Sequence, residues 1–238
     1  MFNIQNFTFR HNNSSESIFL DFCYVFEDGI TTIVAKNGAG KTTLLTTIVD
    51  AFVDKHNKRE STLAGNFVFD PATRIITITQ NPNDCLLGWY SAMDNLKVIA
   101  KCSNISKNIN YKKYQDDLCE FAIPPDQKVA TLSGGQKQIV NILKSMSFGA
   151  NLILMDEPFA ALDLYNSIKL KKTLKQWQNK HKACMILISH NLDDILELSN
   201  TILLLDCKPA KIVAELKNTD KDFDSNKNRI IQFLDTPK

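Results

Sequence analysis

The stretch VAKNGAGKTTLL, residues 34–45, sets two glycines, a lysine and two threonines between apolar runs. Successive backbone N–H groups aimed into one concavity at a helix N-terminus make an anion site, because those donors have no intrahelical partner and the helix dipole adds to them. With phosphates in that site, Gly38 and Gly40 let the backbone come close, Lys41 reaches the β and γ groups, the Thr42 hydroxyl ligates Mg²⁺, and Thr43 starts the helix. The strict pattern asks for glycine at position 35, where this chain has Ala35. An alanine is tolerated there at negative φ and costs about 1–2 kcal/mol if the position must be left-handed.

Two further stretches carry matching chemistry. NLILMDEP, residues 151–158, places two adjacent carboxylates at the end of an apolar strand, where burying charge without a role costs several kcal/mol. Asp156 suits a Mg²⁺ shell and Glu157 suits polarising an attacking water. ACMILISH, residues 183–190, ends a second apolar strand on His190, at the same sheet edge and within reach of a γ-phosphate. TLSGGQKQIVNILKSM, residues 131–146, holds Ser133, Gly134 and Gly135 as a second anion-binding turn opening a helix. One triphosphate needs one such loop. A head-to-tail dimer accounts for two, each copy's second loop covering the nucleotide held by the other.

The elements around these residues read as α/β. Residues 2–35 form short apolar runs (FNIQNFTF, SIFLDFCYVF, ITTIVA) broken by HNNSSES and EDG, a β-rich layer. TLLTTIVDAFVD has helical spacing and RIITITQ is strand-like. From Asn81 the pattern turns helical (SAMDNLKVIAKC, YQDDLCEFAI) as far as about Lys144, an inserted helical subdomain. NLILMDEP and ACMILISH then suit buried parallel strands flanking the amphipathic IKLKKTLKQWQNK. The expected architecture is an α/β core, residues 1–80 and 145–238, with an N-terminal antiparallel β layer and a helical subdomain at 81–144; with its glycine loop it resembles a P-loop NTPase (RecA-like) core.

Composition narrows the function classes. A length of 238 residues at 44% hydrophobic content supports one sizeable domain. A net charge of +2, from 28 basic and 26 acidic side chains spread along the chain, argues against bulk nucleic-acid binding. Six scattered cysteines with no CxxC pair read as buried free thiols in a reducing cytosol. No leader-like N-terminus and no run of about 18 apolar residues is present, so a membrane role is expected to come through a partner.

Taken together and in order, these motifs resemble the ATP-binding cassette (ABC) family over nearly the whole chain: AKNGAGKTT as Walker A (with Asn37 and Ala39 in the phosphate loop), Gln80 in ITQNP as the Q-loop, LSGGQ at 132–136 as the signature, LILMDEP as Walker B, ALD at 161–163 as the D-loop and His190 as the switch histidine. The resemblance implies Mg²⁺-ATP hydrolysis in a sandwich dimer that drives conformational change in a partner. It assigns Glu157, His190 and Gln80 to catalysis and Thr42, Gln80 and Asp156 to the metal. The Walker A residues, Ser133, Gly134, Gly135, Gln136 and Asp163 fall to nucleotide binding. His11 falls where relatives place an adenine-stacking aromatic, a role Phe9 could take instead.

QNPNDCLLGWYSAMDNL is similar to a segment of nitrate/sulfonate/taurine-type importer ATPases, with Gly88 for the expected proline and, in KPAKI, Ala210 for a glycine. Ile139 and Asn141 stand where relatives usually have Arg and Ala. The implied function is the ATPase subunit of an importer for a small solute, on the cytoplasmic face of the inner or plasma membrane. It would pair with itself or a paralogous ATPase subunit, bind integral membrane permease subunits and bind no nucleic acid. Leu86, Leu87 and Trp89 are expected to form an exposed apolar cluster beside Gln80 that receives a permease helix. The alternatives are an exporter ATPase or a non-transport ABC ATPase of the iron–sulfur assembly type. A P-loop GTPase needs NKxD, and NKRE at 57–60 lacks the aspartate.

Overall fold

A computed structural model describes residues 1–10, 16–57, 64–103, 105–206, 209–219 and 222–235. Two compact units divide the chain: residues 1–73 with 184–238, and residues 74–183.

The first unit holds two sheets. β1 (Phe2–Phe9) pairs antiparallel with β2 (Phe19–Phe26) and β4 (Ala64–Val68), in the order β2-β1-β4. Phe2 and Ile4 are buried on one alternation and Phe7 on the other. The switch in parity comes at Asn6, whose φ of 50° and the register shift between Ile4 and Phe7 mark a bulge that turns the strand over. Rings of Phe2, Phe26, Phe67 and Phe69 stack on this layer.

The second sheet of this unit centres on β3 (Gly29–Ala35), buried at every residue, as the unbroken apolar and threonine run requires. Parallel neighbours β7 (Cys184–Ile188) and β8 (Thr201–Asp206) flank it, and β9 (Lys211–Lys217) closes the edge antiparallel to β8. α1 (Lys41–Asn57) follows β3 across the glycine loop. α6 (Leu192–Leu198) and α7 (Phe223–Asp235) cover the sheet through Ile195, Leu196 and Ile230 packed with Val34, Ile202, Leu204 and Leu216.

The second unit is built on the parallel pair β5 (Ile75–Ile78) and β6 (Leu152–Asp156). Its helices are α2 (Ala92–Cys102), α3 (Tyr111–Glu120), α4 (Gly134–Phe148) and α5 (Leu164–His181). α4 is the hub: α2 and α3 both pack on it, and the fully buried Tyr114 ties α3 to α2 by donating to the Ala92 carbonyl at 3.2 Å. The expected α/β class with an antiparallel β layer and a helical portion is the architecture found. Among the described residues, no helix is long and apolar enough to cross a membrane.

Candidate functional site

In the first unit, parallel pairing sets the site. β3 and β7 run side by side with Ile33 opposite Ile188, so the glycine loop after Ala35 and His190 after Ile188 leave the sheet at the carboxyl ends of neighbouring strands. That is where open α/β sheets bind ligands. Ala35 ends β3 in extended backbone and is not among the positive-φ residues, so alanine carries no strain there. The left-handed positions of the loop fall on Gly38 (φ 82°) and Gly40 (φ 86°), where an L side chain would cost about 1–2 kcal/mol.

α1's own hydrogen-bond ladder starts when Leu44 donates to the Gly40 carbonyl at 2.9 Å, so the amides of its first turn point out of the helix toward the loop. The Lys41 ammonium folds over that loop onto the carbonyls of Ala35 (2.7 Å) and Lys36 (3.3 Å). Asn37 and Thr42 are exposed, Thr43 is half-buried and Ala39 is buried. His190 is exposed just beyond the buried Ser189. His11 lies outside the described residues, as do residues 58–60 and Lys208 of the motifs discussed above.

In the second unit, β5 and β6 pair with Ile78 opposite Met155, which brings Gln80 and the Asp156–Glu157 pair past adjacent strand ends. Glu157 has φ 47°. A left-handed glutamate stores about 1–2 kcal/mol that glycine would avoid, and such outliers persist where the side chain has work to do. Here the turn aims two consecutive carboxylates off one strand end.

The signature turn is assembled by a capping box. The Ser133 N–H donates to Gln136 Oε1 at 3.0 Å, and the Gln136 N–H donates to Ser133 Oγ at 3.2 Å. The serine hydroxyl therefore fixes the helix start as an acceptor while its O–H remains a donor for an incoming oxygen. A Cβ on Gly135 would come within 2.9 Å of the Ala161 carbonyl, so the signature packs tightly on the ALD segment, whereas a Cβ on Gly134 would meet nothing within 4 Å. Asp163 caps α5, accepting from the Asn166 backbone at 2.9 Å and its side chain at 2.7 Å, and these bonds hold its carboxyl below the usual carboxylate range.

The glycine loop, Gln80, the signature turn and the Asp156–Glu157 pair all fall within residues 23–160, the span matched by the ABC transporter profile. The chain belongs to the ABC transporter family. Its relatives include an aliphatic sulfonates import ATP-binding protein of Burkholderia cenocepacia, 30% identical over 188 residues, covering 79% of this chain and 67% of that protein. A bicarbonate transport ATP-binding protein of Synechocystis is 25% identical over 204 residues (84% and 71% covered), and a taurine import ATP-binding protein of Escherichia coli is 28% identical over 187 residues (77% and 71%). Among solved structures, the ATP-binding cassette MJ0796 bound to ADP and Pi matches with a TM-score of 0.71 at 18% identity, covering 92% of this chain and 99% of that one. The subunit cbiO1 of Clostridium perfringens matches with 0.73 at 18% identity, covering 99% and 95%. At such identity the two structures speak for the fold alone. As an ABC cassette the chain is an ATP-binding ATPase, the class read from its motifs.

Two expectations for this cassette need correction. The cysteines are free thiols but mostly not buried: Cys23, Cys102 and Cys119 are exposed and Cys85 half-buried, with Cys184 alone buried among those described. Leu86 is buried and Leu87 half-buried, because Asn95 pins the turn by accepting from the Leu87 N–H (2.8 Å) and donating to its carbonyl (3.0 Å). The exposed apolar surface is Trp89 with Tyr90. That aromatic turn is laddered to the chain just ahead of the signature: Val129 donates to the Tyr90 carbonyl at 3.0 Å and Ala130 to the Gly88 carbonyl at 2.9 Å. Sequence reading also missed Gln138 and Lys144, buried polar residues of α4 that bond to the segment around Gln80. Their signal was present, as 138, 141 and 144/145 recur at helical spacing on one face.

Proposed function

We propose that this chain is the energy-coupling subunit of an importer for a small solute, working as a head-to-tail pair on the cytoplasmic face of a membrane beside separate permease subunits. The observation that carries the reading is the exposed Trp89–Tyr90 turn, bonded through Val129 and Ala130 to the segment that enters Ser133 three residues later. A partner seated on that aromatic turn pushes on the signature through backbone hydrogen bonds. The sulfonate, taurine and bicarbonate relatives, all named as transport proteins, support the importer class.

Nucleotide binding falls to the first unit's loop, where Gly38 and Gly40 bring the backbone to the phosphates and Lys41 exchanges its carbonyl partners for phosphate oxygens. Thr42, Gln80 and Asp156 offer hydroxyl, amide and carboxylate oxygens, a hard donor set that fits Mg²⁺ and would hold it. Bound there, the ion neutralises charge on the phosphate oxygens. Glu157 orients and deprotonates the attacking water, and His190 touches the γ-phosphate. The second anion site, Ser133 with Gly134 open in front of it, serves the nucleotide of the other copy.

The test separates the two loops. Lys41→Ala weakens ATP binding by the monomer, whereas Ser133→Arg leaves monomer binding intact and blocks closure of the pair. Equal loss of affinity in both variants, titrated at low protein concentration, refutes a site shared between copies.

A further inference from the structure

Helix α4 turns a polar stripe inward: Gln138, Asn141, Lys144 and Ser145 are each at most 5% exposed. Burying a lysine is costly when a leucine would pack the same space, so the stripe should hold something an apolar face could not. Ser145 donates within the helix, to the Asn141 carbonyl at 2.8 Å, but Gln138 and Lys144 hold the backbone of another segment. The Gln138 amide donates to the Thr79 carbonyl at 3.2 Å, directly before Gln80, and the Lys144 ammonium donates to the Cys85 carbonyl at 2.6 Å, directly after the turn that follows. Nearer the surface, Lys137 donates to Asn83 Oδ1 at 3.1 Å. The two ends of the segment also meet each other, with Cys85 Sγ 3.5 Å from Thr79 Oγ1 and 3.6 Å from the Thr77 carbonyl.

We propose that Lys144, assisted by Gln138, is a positioning residue for Gln80: it straps the 79–85 segment to α4, so that Gln80 and the signature turn heading that helix shift as one body. The inference rests on the reading of Gln80 as a phosphate-facing residue. Gln80 itself is exposed, so its placement depends on these anchors on either side of it. A phosphate contact at Gln80 and a push at residues 88–90 then act on the same helix, one through the strap and the other through residues 128–130. Burial lowers the Lys144 pKa to about 8, and the titratable group acting on it is the Cys85 thiol of the strapped segment itself. The strap is therefore a charge-assisted hydrogen bond below about pH 8 and a weaker neutral one above.

Steady-state ATPase of the full chain decides, read as kcat and KM across pH 6 to 9.5. Lys144→Met should lower kcat about tenfold or more with KM for ATP within about threefold, since the nucleotide loop is elsewhere in the chain. Lys144→Arg, charged throughout this range, should restore the neutral-pH rate and abolish a decline that the wild type shows near pH 8. A wild-type kcat in Lys144→Met, or identical pH profiles for wild type and Lys144→Arg, overturns the proposal. If Lys144→Met does not fold, Gln138→Leu and the arginine profile carry the same decision. Gln80→Ala separates the layers: a wild-type rate there removes the reading of Gln80, whereas a slow Gln80→Ala beside a fast Lys144→Met removes the strap alone.

Discussion

Trp89→Ala distinguishes a docking surface from a packing residue, because the structure sets how much stability the ring can carry. Trp89 is 70% exposed. Of the roughly 250 Å² that a tryptophan can bury, about 75 Å² is therefore out of water. At about 25 cal/mol per Å² the truncation loses at most about 2 kcal/mol, which is about 4–8 °C in melting temperature for a domain of this size. A core tryptophan would lose about 3–5 kcal/mol. If the ring instead anchors a permease helix, removing it costs at least about 2 kcal/mol of association, a weakening of roughly 30-fold. The assay pairs a thermal melt of the isolated subunit with cosedimentation on membranes that contain its permease. The expected result is a small melting shift, unchanged ATP binding and loss of the membrane-bound fraction. A drop of more than about 10 °C with unchanged cosedimentation refutes the docking role.

Substitutions at two other residues test the site and its support. Glu157→Gln should retain ATP, accumulate the closed pair and nearly abolish turnover, while Glu157→Gly should be equally inactive yet melt no lower than wild type, because relief of a left-handed φ (about 1–2 kcal/mol) offsets glycine's extra backbone entropy (about 0.5–1 kcal/mol). Hydrolysis at the wild-type rate in the glutamine variant removes Glu157 as the base. Asn141→Ala should be neutral or up to about 1 kcal/mol stabilising by denaturant titration, since both amide atoms are buried without a hydrogen-bond partner. A loss of about 2 kcal/mol would show that the amide is satisfied after all.

The ABC family and the turns that carry its motifs were legible in the chain alone, for a local reason. Phosphate loops, strand-end carboxylates and the signature turn are each built within about a dozen consecutive residues, so glycine positions, helix-start residues and apolar runs encode them directly. The capping box of Ser133 and Gln136 is of this kind, written three residues apart. The buried β3, β6 and β7 follow from the same short-range logic, as unbroken apolar runs.

Tertiary structure decided what depends on partners far away in sequence. Only the φ of Ala35 shows that its lost glycine costs nothing, and only that of Glu157 reveals strain. β4, whose residues are mostly exposed, owes its place to pairing with β1 rather than to any periodicity of its own. Leu86 and Trp89 stand three residues apart with similar hydrophobicity, yet Asn95 bonds the turn so that one faces the core and the other solvent. By residue type alone Lys144 of α4 would be a solvated charge. It becomes a strap because folding sets it against a carbonyl 59 residues away, and burial depends on that neighbour, not on the residue's own type.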